Sequence, residues 1–334
     1  MKAAVFDGEK TSVKEVIEPD MKEFEVLIKV KAAGICGTDL AIAEGNMKTP
    51  TPLVLGHEFA GDIIEIGKNV NKELLNQRVT SEINANIDFS CYFCQRELYT
   101  QCLSRKALGI DIDGAFAEFI SVPSYLIHKI PDNLSYEEAT FIEPLAAAYQ
   151  VFELMPIDKH DEIVTIFGMG KLGLLIAQVA LKKELKVIVV DRSSHKLNLA
   201  KEFGVDFPLN SSQLDIPKKI KELTNGLGSD IVIDATGNPN AIPMILASCR
   251  TYGKIHIKST PGIPVELNLT EMVVREIFLY TSRCGPFEKA IEGLKSGNVK
   301  VKPLISARYP IEQIANAFES YENPNHIKSI IEFE

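Results

Sequence analysis

Residues 164–173 read VTIFGMGKLG, and their reading decides the fold. An apolar run ends in glycines at 168, 170 and 173, spaced GxGxxG, and Leu172, Leu175, Ile176 and Val179 then recur at helical spacing. A second apolar strand follows at 186–190, so the stretch is a strand, a glycine turn, a helix and a strand. In that setting the backbone of Gly168, Met169, Gly170, Lys171, Leu172 and Gly173 can approach a pyrophosphate at a helix N-terminus. Asp191 ends the second strand, eighteen residues after Gly173. A carboxylate there accepts both ribose hydroxyls of an adenosine and repels a 2′-phosphate. Arg192 argues the other way, because a guanidinium can bind that phosphate, although it can equally lie flat over adenine. The balance favours NAD over NADP. The blander alternative is a tight turn in a sheet domain that holds no cofactor.

Outward from this unit the alternation continues. A helix pattern at 194–203 and apolar strands at 231–234, 254–257 and 277–281 describe a doubly wound parallel sheet, and hence an α/β domain. Upstream, 1–130 runs in short β-rich pieces, such as 2–6, 25–30 and 60–66, broken by glycine, asparagine and proline turns, and reads as an all-β domain. The last fifty residues offer a helix at 287–296, a strand at 303–307, a helix at 311–321 and a strand at 328–334. Their spacing alone does not assign them to either domain.

Composition narrows the function. A chain of 334 residues, 46% hydrophobic and 24% charged, has the balance of a globular protein of about two domains. The longest apolar runs fall far short of the ~20 residues that span a bilayer, and no signal pattern opens the chain, so a cytoplasmic location is expected. The net charge of −9 carries no lysine- or arginine-rich block, which argues against nucleic acid or a membrane as partner. Three of the six cysteines fall within residues 91–102, and in a cytoplasmic chain such a cluster reads as metal binding before disulfides.

Cys91, Cys94 and Cys102 suit tetrahedral zinc but leave one position unfilled. Asp88, three residues before Cys91, offers a carboxylate for it, which makes a closed, structural Cys3Asp site. A second group is scattered: Cys36 in GICGTD, His57 and Glu58 in GHEFAG, and Glu143 in IEPLAAA. One thiolate, one imidazole and one carboxylate would hold zinc with a position left open for substrate.

Taken together, GICGTD, GHEFAG, the cysteine cluster, EPLAAA, GMGKLG and DATG follow one order over nearly the whole chain. In this the chain resembles the zinc-dependent medium-chain dehydrogenases and reductases, of the alcohol, sorbitol and threonine dehydrogenase type. The resemblance implies a GroES-like β-barrel catalytic domain joined to a Rossmann domain. The tail would return to complete the barrel, giving 1–144 with 283–334 as the catalytic domain and 145–282 as the NAD-binding domain. It implies Cys36 and His57 as catalytic zinc ligands and Glu143 as the third, with Glu58 as its rival. It further implies Thr38 as the acceptor of the substrate proton, Asp39 as a carboxylate orienting His57, and Lys196 as a ribose-binding lysine. Ala41 stands where the family often ends a proton relay with histidine, and Asp88 stands where it places a cysteine.

The expected activity is hydride transfer between an alcohol, polyol or sugar-like substrate and NAD, in a cleft between the two domains. The EPL form of the Glu143 segment favours polyols. The expected assembly is a homodimer or homotetramer paired through an edge of the Rossmann sheet. Two rivals remain: a zinc-free NADPH quinone or enoyl reductase on the same fold, and a catalytically idle NAD-binding protein.

Overall fold

The computed structural model describes residues 1–260 and 262–334 and divides the chain into two units, Met1–Glu143 with Leu304–Glu334, and Pro144–Pro303.

In the first unit a seven-stranded sheet runs Ile127–Lys129, Arg78–Ser81, Glu58–Ile66, Glu25–Gly34, Lys328–Glu332 and Ile305–Pro310, with Phe119–Pro123 also paired to Glu25–Gly34. The pairings are antiparallel except that between Lys328–Glu332 and Ile305–Pro310. Strand alternation turns Val26, Ile28 and Val30 into one core with Phe59, Ile63, Val79 and Phe116. Register then fixes what matters for chemistry: Gly34 faces Glu58 on one side and Ile330 on the other. The segments that follow Gly34 and precede Glu58, bearing Cys36 and His57, are thereby brought to one end of adjacent strands. The all-β reading of 1–130 misses the helix Gly37–Ala43. Its first turn is closed by Asp39, whose Oδ2 accepts the Cys36 N–H at 2.8 Å.

In the second unit six parallel strands run Phe207–Asn210, Lys186–Asp191, Ile163–Phe167, Ser229–Asp234, Cys249–Ile257 and Phe278–Thr281. Numbered within the unit this is the order 3-2-1-4-5-6 of a doubly wound dinucleotide fold. Val187, Ile188, Val189 and Val190 are all buried, as a strand covered on both faces requires. Helices Lys171–Leu181 and Ser194–Glu202 make the connections that the sequence periodicity predicts. The expected change of domain at 283 does not occur there, and 283–303 belongs with the second unit. Contacts fix it: Lys289 Nζ meets Glu153 Oε2 at 2.7 Å, the Lys300 N–H donates to Gln178 Oε1 at 2.8 Å, and the Lys258 ammonium donates to the Arg283 carbonyl at 2.5 Å.

No helix among the described residues is long and apolar enough to cross a membrane.

Candidate functional site

The first unit gathers two donor clusters. In one, single ligand atoms of Cys36, His57 and Glu58 all lie within 4.8 Å of one another. The three residues reach this spot because Cys36 leaves the strand Glu25–Gly34 and caps the helix Gly37–Ala43, while His57 and Glu58 open the strand Glu58–Ile66. Asp39, fully buried, ties the pieces together. Its Oδ2 accepts the Cys36 N–H at 2.8 Å, and its Oδ1 accepts the Gly56 N–H at 3.3 Å and lies 3.4 Å from His57 Nδ1. Burial works to lower the His57 pKa, but the Asp39 carboxylate and the neighbouring Cys36 side chain outweigh it and hold the ring well above the usual histidine range. An imidazole set among anions this way is a place where positive charge is welcome. A thiol, an imidazole and a carboxylate converging in a buried spot make a donor set that fits zinc and leaves a fourth position for an oxygen.

Glu143, the other expected carboxylate, stands half-buried in the first turn of the helix Ile142–Leu154 and is not part of that three-residue group. Thr38 is half-buried in the first turn of Gly37–Ala43. A residue that sequence reasoning passed over belongs here as well. Lys328, with no exposed side-chain surface, forms an ion pair with the equally buried Glu58. The available signal was one lysine in the apolar strand sequence KSIIE, where a buried ammonium demands a partner because an uncompensated one costs several kcal/mol, on the order of 3–5.

The second cluster is local. The ligand atoms of Asp88, Cys91, Cys94 and Cys102 lie within 4.8 Å of one another, with Cys91 Sγ 3.6 Å from Cys94 Sγ. Asp88 Oδ1 accepts the N–H groups of Ser90 and Cys91, each at 2.8 Å, and Oδ2 accepts the Ser104 hydroxyl at 3.2 Å. Those backbone donors hold the Asp88 carboxyl well below the ordinary aspartate range. Burial, with the neighbouring Cys102, Cys91 and Asp88, pushes the Cys94 thiol up to about 12. A cation held among these groups would favour the ionised form that the buried Cys94 thiol resists by itself.

In the second unit the glycine turn has the conformation the sequence requires. Gly168 has φ +89°, and a Cβ on Gly173 would collide with the Gly168 carbonyl, so the loop closes tightly onto the helix Lys171–Leu181. Space is open beside Gly170. Asp191 is anchored by accepting the Met169 N–H at 2.6 Å and the Ser193 N–H at 2.8 Å. Lys196 is half-buried one helical turn on; burial lowers its pKa, and the Asp191 carboxylate pulls it back up. Arg192 is exposed. The turn, Asp191 and Lys196 thus form one surface that can take a pyrophosphate and a ribose.

Comparison with known proteins shows the family to which the chain belongs. The family model of the alcohol dehydrogenase GroES-like domain matches residues 22–132, and that of the zinc-binding dehydrogenases matches 172–296. The D-arabitol-phosphate dehydrogenase of Enterococcus avium is 35% identical over 94% of this chain and 91% of its own length. Two solved structures superpose over nearly everything. The zinc-binding dehydrogenase of Sinorhizobium meliloti bound to NADP has a TM-score of 0.91 at 28% identity, covering 99% of both chains. The alcohol dehydrogenase of Escherichia coli CFT073 complexed with NADH has a TM-score of 0.91 at 29% identity, covering 100% of this chain and 99% of that one.

Proposed function

This chain belongs to the zinc-dependent medium-chain dehydrogenases and is an alcohol or polyol dehydrogenase that works with zinc and NAD(H), and we propose how its residues divide that work. Cys36, His57 and a glutamate hold the catalytic zinc. Glu58 is favoured by its place in the donor cluster, and Glu143 is the alternative. That cluster, buried and braced by Asp39, is the observation that carries the reading. Zinc there supplies a Lewis acid for the substrate oxygen. Thr38 would relay the hydroxyl proton onward to water or the cofactor ribose, Asp39 would keep His57 oriented through Nδ1, and a bound nicotinamide would supply the hydride acceptor. Asp88, Cys91, Cys94 and Cys102 hold a second, structural zinc. The backbone of 168–173, with Asp191, Arg192 and Lys196, binds the cofactor. Asp191 speaks for NAD over NADP, because its charge would face a 2′-phosphate. The unit Met1–Glu143 with Leu304–Glu334 carries the metal chemistry, and Pro144–Pro303 carries the dinucleotide.

A polyol or polyol phosphate is the substrate class that the arabitol-phosphate relative supports. The protein acts in the cytoplasm, where the thiols of both donor clusters stay reduced. It self-associates as a dimer through the edge strand Phe278–Thr281, or as a tetramer built from such dimers. Among the described residues that strand pairs on one side only, and Phe278 and Leu279 are 41% and 46% exposed, so a second copy could extend the sheet and cover them.

The test is metal content by elemental analysis of wild type, Cys36→Ser and Cys91→Ser, alongside NAD and NADP reduction on a panel of neutral and phosphorylated polyols. Two zincs per chain, one lost with all activity in Cys36→Ser, is the expected result. A Cys36→Ser variant that keeps its metal and its activity would sink the proposal and favour the zinc-free reductase.

A further inference from the structure

The strand Lys328–Glu332 pairs antiparallel with Glu25–Gly34 in a register that sets Ile330 against Gly34 and Ile331 against Ala33. One step further on, the same register sets Ser329 against Ile35, where the chain leaves the sheet for Cys36. An ordinary antiparallel pair at this point would exchange two backbone hydrogen bonds. One of them is present: the Ile35 N–H donates to the Ser329 carbonyl at 3.1 Å. The return bond runs through a side chain. The Ser329 N–H donates to Tyr321 Oη at 3.1 Å, and that hydroxyl donates its own proton to the Ile35 carbonyl, also at 3.1 Å. A tyrosine oxygen thus stands in the ladder between two groups that would otherwise meet.

The hydroxyl is held in place from behind. Tyr321 lies in the short turn Ser320–Glu322, and its ring centre is 4.6 Å from that of His326. His326 Nε2 lies 2.8 Å from Ser329 Oγ, which is 2.9 Å from Ser320 Oγ. What the hydroxyl fixes is one peptide plane. The Ile35 carbonyl and the Cys36 N–H belong to the same planar unit, and Asp39 Oδ2 accepts that N–H at 2.8 Å. Tyr321 and Asp39 therefore grip opposite edges of the plane from which the Cys36 side chain springs.

We propose that Tyr321 is a positioning residue for Cys36: its hydroxyl, wedged into the last rung of the ladder, sets the tilt of the Ile35–Cys36 peptide and so the direction from which the sulfur meets a metal. The inference rests on the reading that Cys36 is a metal ligand. Without the hydroxyl, the Ser329 N–H and the Ile35 carbonyl can pair directly, which satisfies both groups but draws the peptide toward the strand. A brace would show itself in stability. A positioning residue changes the metal site of a protein that is as stable as before.

The experiment records the visible spectrum of the cobalt(II)-substituted protein and the rate of zinc release to a chelator, each taken as the difference from Cys36→Ser so that the Cys91 cluster cancels. The full-length variants are Tyr321→Phe and His326→Ala, each with a thermal melt. Tyr321 is half-buried and the first substitution removes a single oxygen, so the fold is kept. Tyr321→Phe is expected to shift the cobalt–thiolate bands and to speed zinc release from the Cys36 site about tenfold, with the melting temperature within about 3 °C of wild type. His326→Ala removes the ring packed on Tyr321 and keeps the hydroxyl, so it should lower the melting temperature and leave bands and release rate unchanged. Unchanged bands and release in Tyr321→Phe, or an equal shift in His326→Ala, overturns the proposal. So does a Tyr321→Phe protein too unstable to keep metal at either cluster, because the hydroxyl is then a brace. If Cys36→Ser loses no metal relative to wild type, the parent reading has failed and this inference falls with it. If that zinc is present and lost, only the role of Tyr321 is at stake.

Discussion

The two donor clusters of the first unit reach similar geometry by opposite routes. Asp88, Cys91, Cys94 and Cys102 come from fifteen consecutive residues, so turns and backbone hydrogen bonds suffice to bring them together. Cys36, His57 and Glu58 converge only because two strands are in register, and the Lys328 beside them arrives from the other end of the chain. A locally built site keeps its shape as long as its loop persists, and suits a structural metal. A site built from distant segments inherits the rigidity of the sheet beneath it, and its electrostatics can be set by residues remote in sequence, which suits chemistry.

That contrast can be broken in several ways. The largest effect should come from Cys36→Ser, with activity down by at least about a thousandfold, or ~4 kcal/mol of transition-state stabilisation, while the melting temperature changes little. Steady-state kinetics beside a thermal melt would show it, and a large loss of melting temperature with activity preserved would reverse the two roles. Cys91→Ser should do the opposite. A loss of roughly 3 kcal/mol lowers the melting temperature by about 6–12 °C with kcat at 25 °C within a few-fold of wild type, and Asp88→Cys should leave the melt at or above wild type.

Two buried histidines sharpen the comparison. His57 has acidic neighbours and its pKa is raised, whereas His256 has no hydrogen-bond partner on either ring nitrogen among the described residues. Burial, aided by the Lys258 charge, lowers the His256 pKa to about 4. Its folded pKa lies below the unfolded one, so the unfolded chain binds more protons between about pH 6.5 and 4, and stability is lost as pH falls through that window. Going from pH 7 to 5 should cost about 2 kcal/mol in wild type that His256→Leu does not lose, read from urea midpoints; parallel pH profiles would refute this. The smallest effect concerns the cofactor turn, which is as local as the Asp88 loop. Asp191→Asn should raise the KM for NAD about tenfold and narrow the preference against NADP, and an unchanged NAD/NADP ratio would remove Asp191 from that role.

Legibility in the sequence followed locality. The glycines at 168, 170 and 173 with Asp191, and the 88–102 cluster, were readable because their spacing alone fixes their geometry. The proposed catalytic group needed resemblance to connect Cys36, His57 and the two glutamates, and only strand register shows that Glu58 lies with Cys36 and His57. Lys328 went unread because nothing in KSIIE says what lies across the sheet. The domain change expected at 283 moved to 304 because hydrogen bonds and an ion pair hold 283–303 within the second unit, and linear spacing does not encode such contacts.

The sequence by itself therefore determined the two-part organisation, the parallel sheet with its dinucleotide turn, and the local thiolate cluster, since hydrophobic period and short-range spacing act within a few residues. Tertiary structure alone placed Glu58 beside Cys36 and His57, paired it with the buried Lys328, and set where the chain changes units. The physical reason is that these depend on contacts between segments tens to hundreds of residues apart, which only the packed sheet and its register bring within a few ångströms.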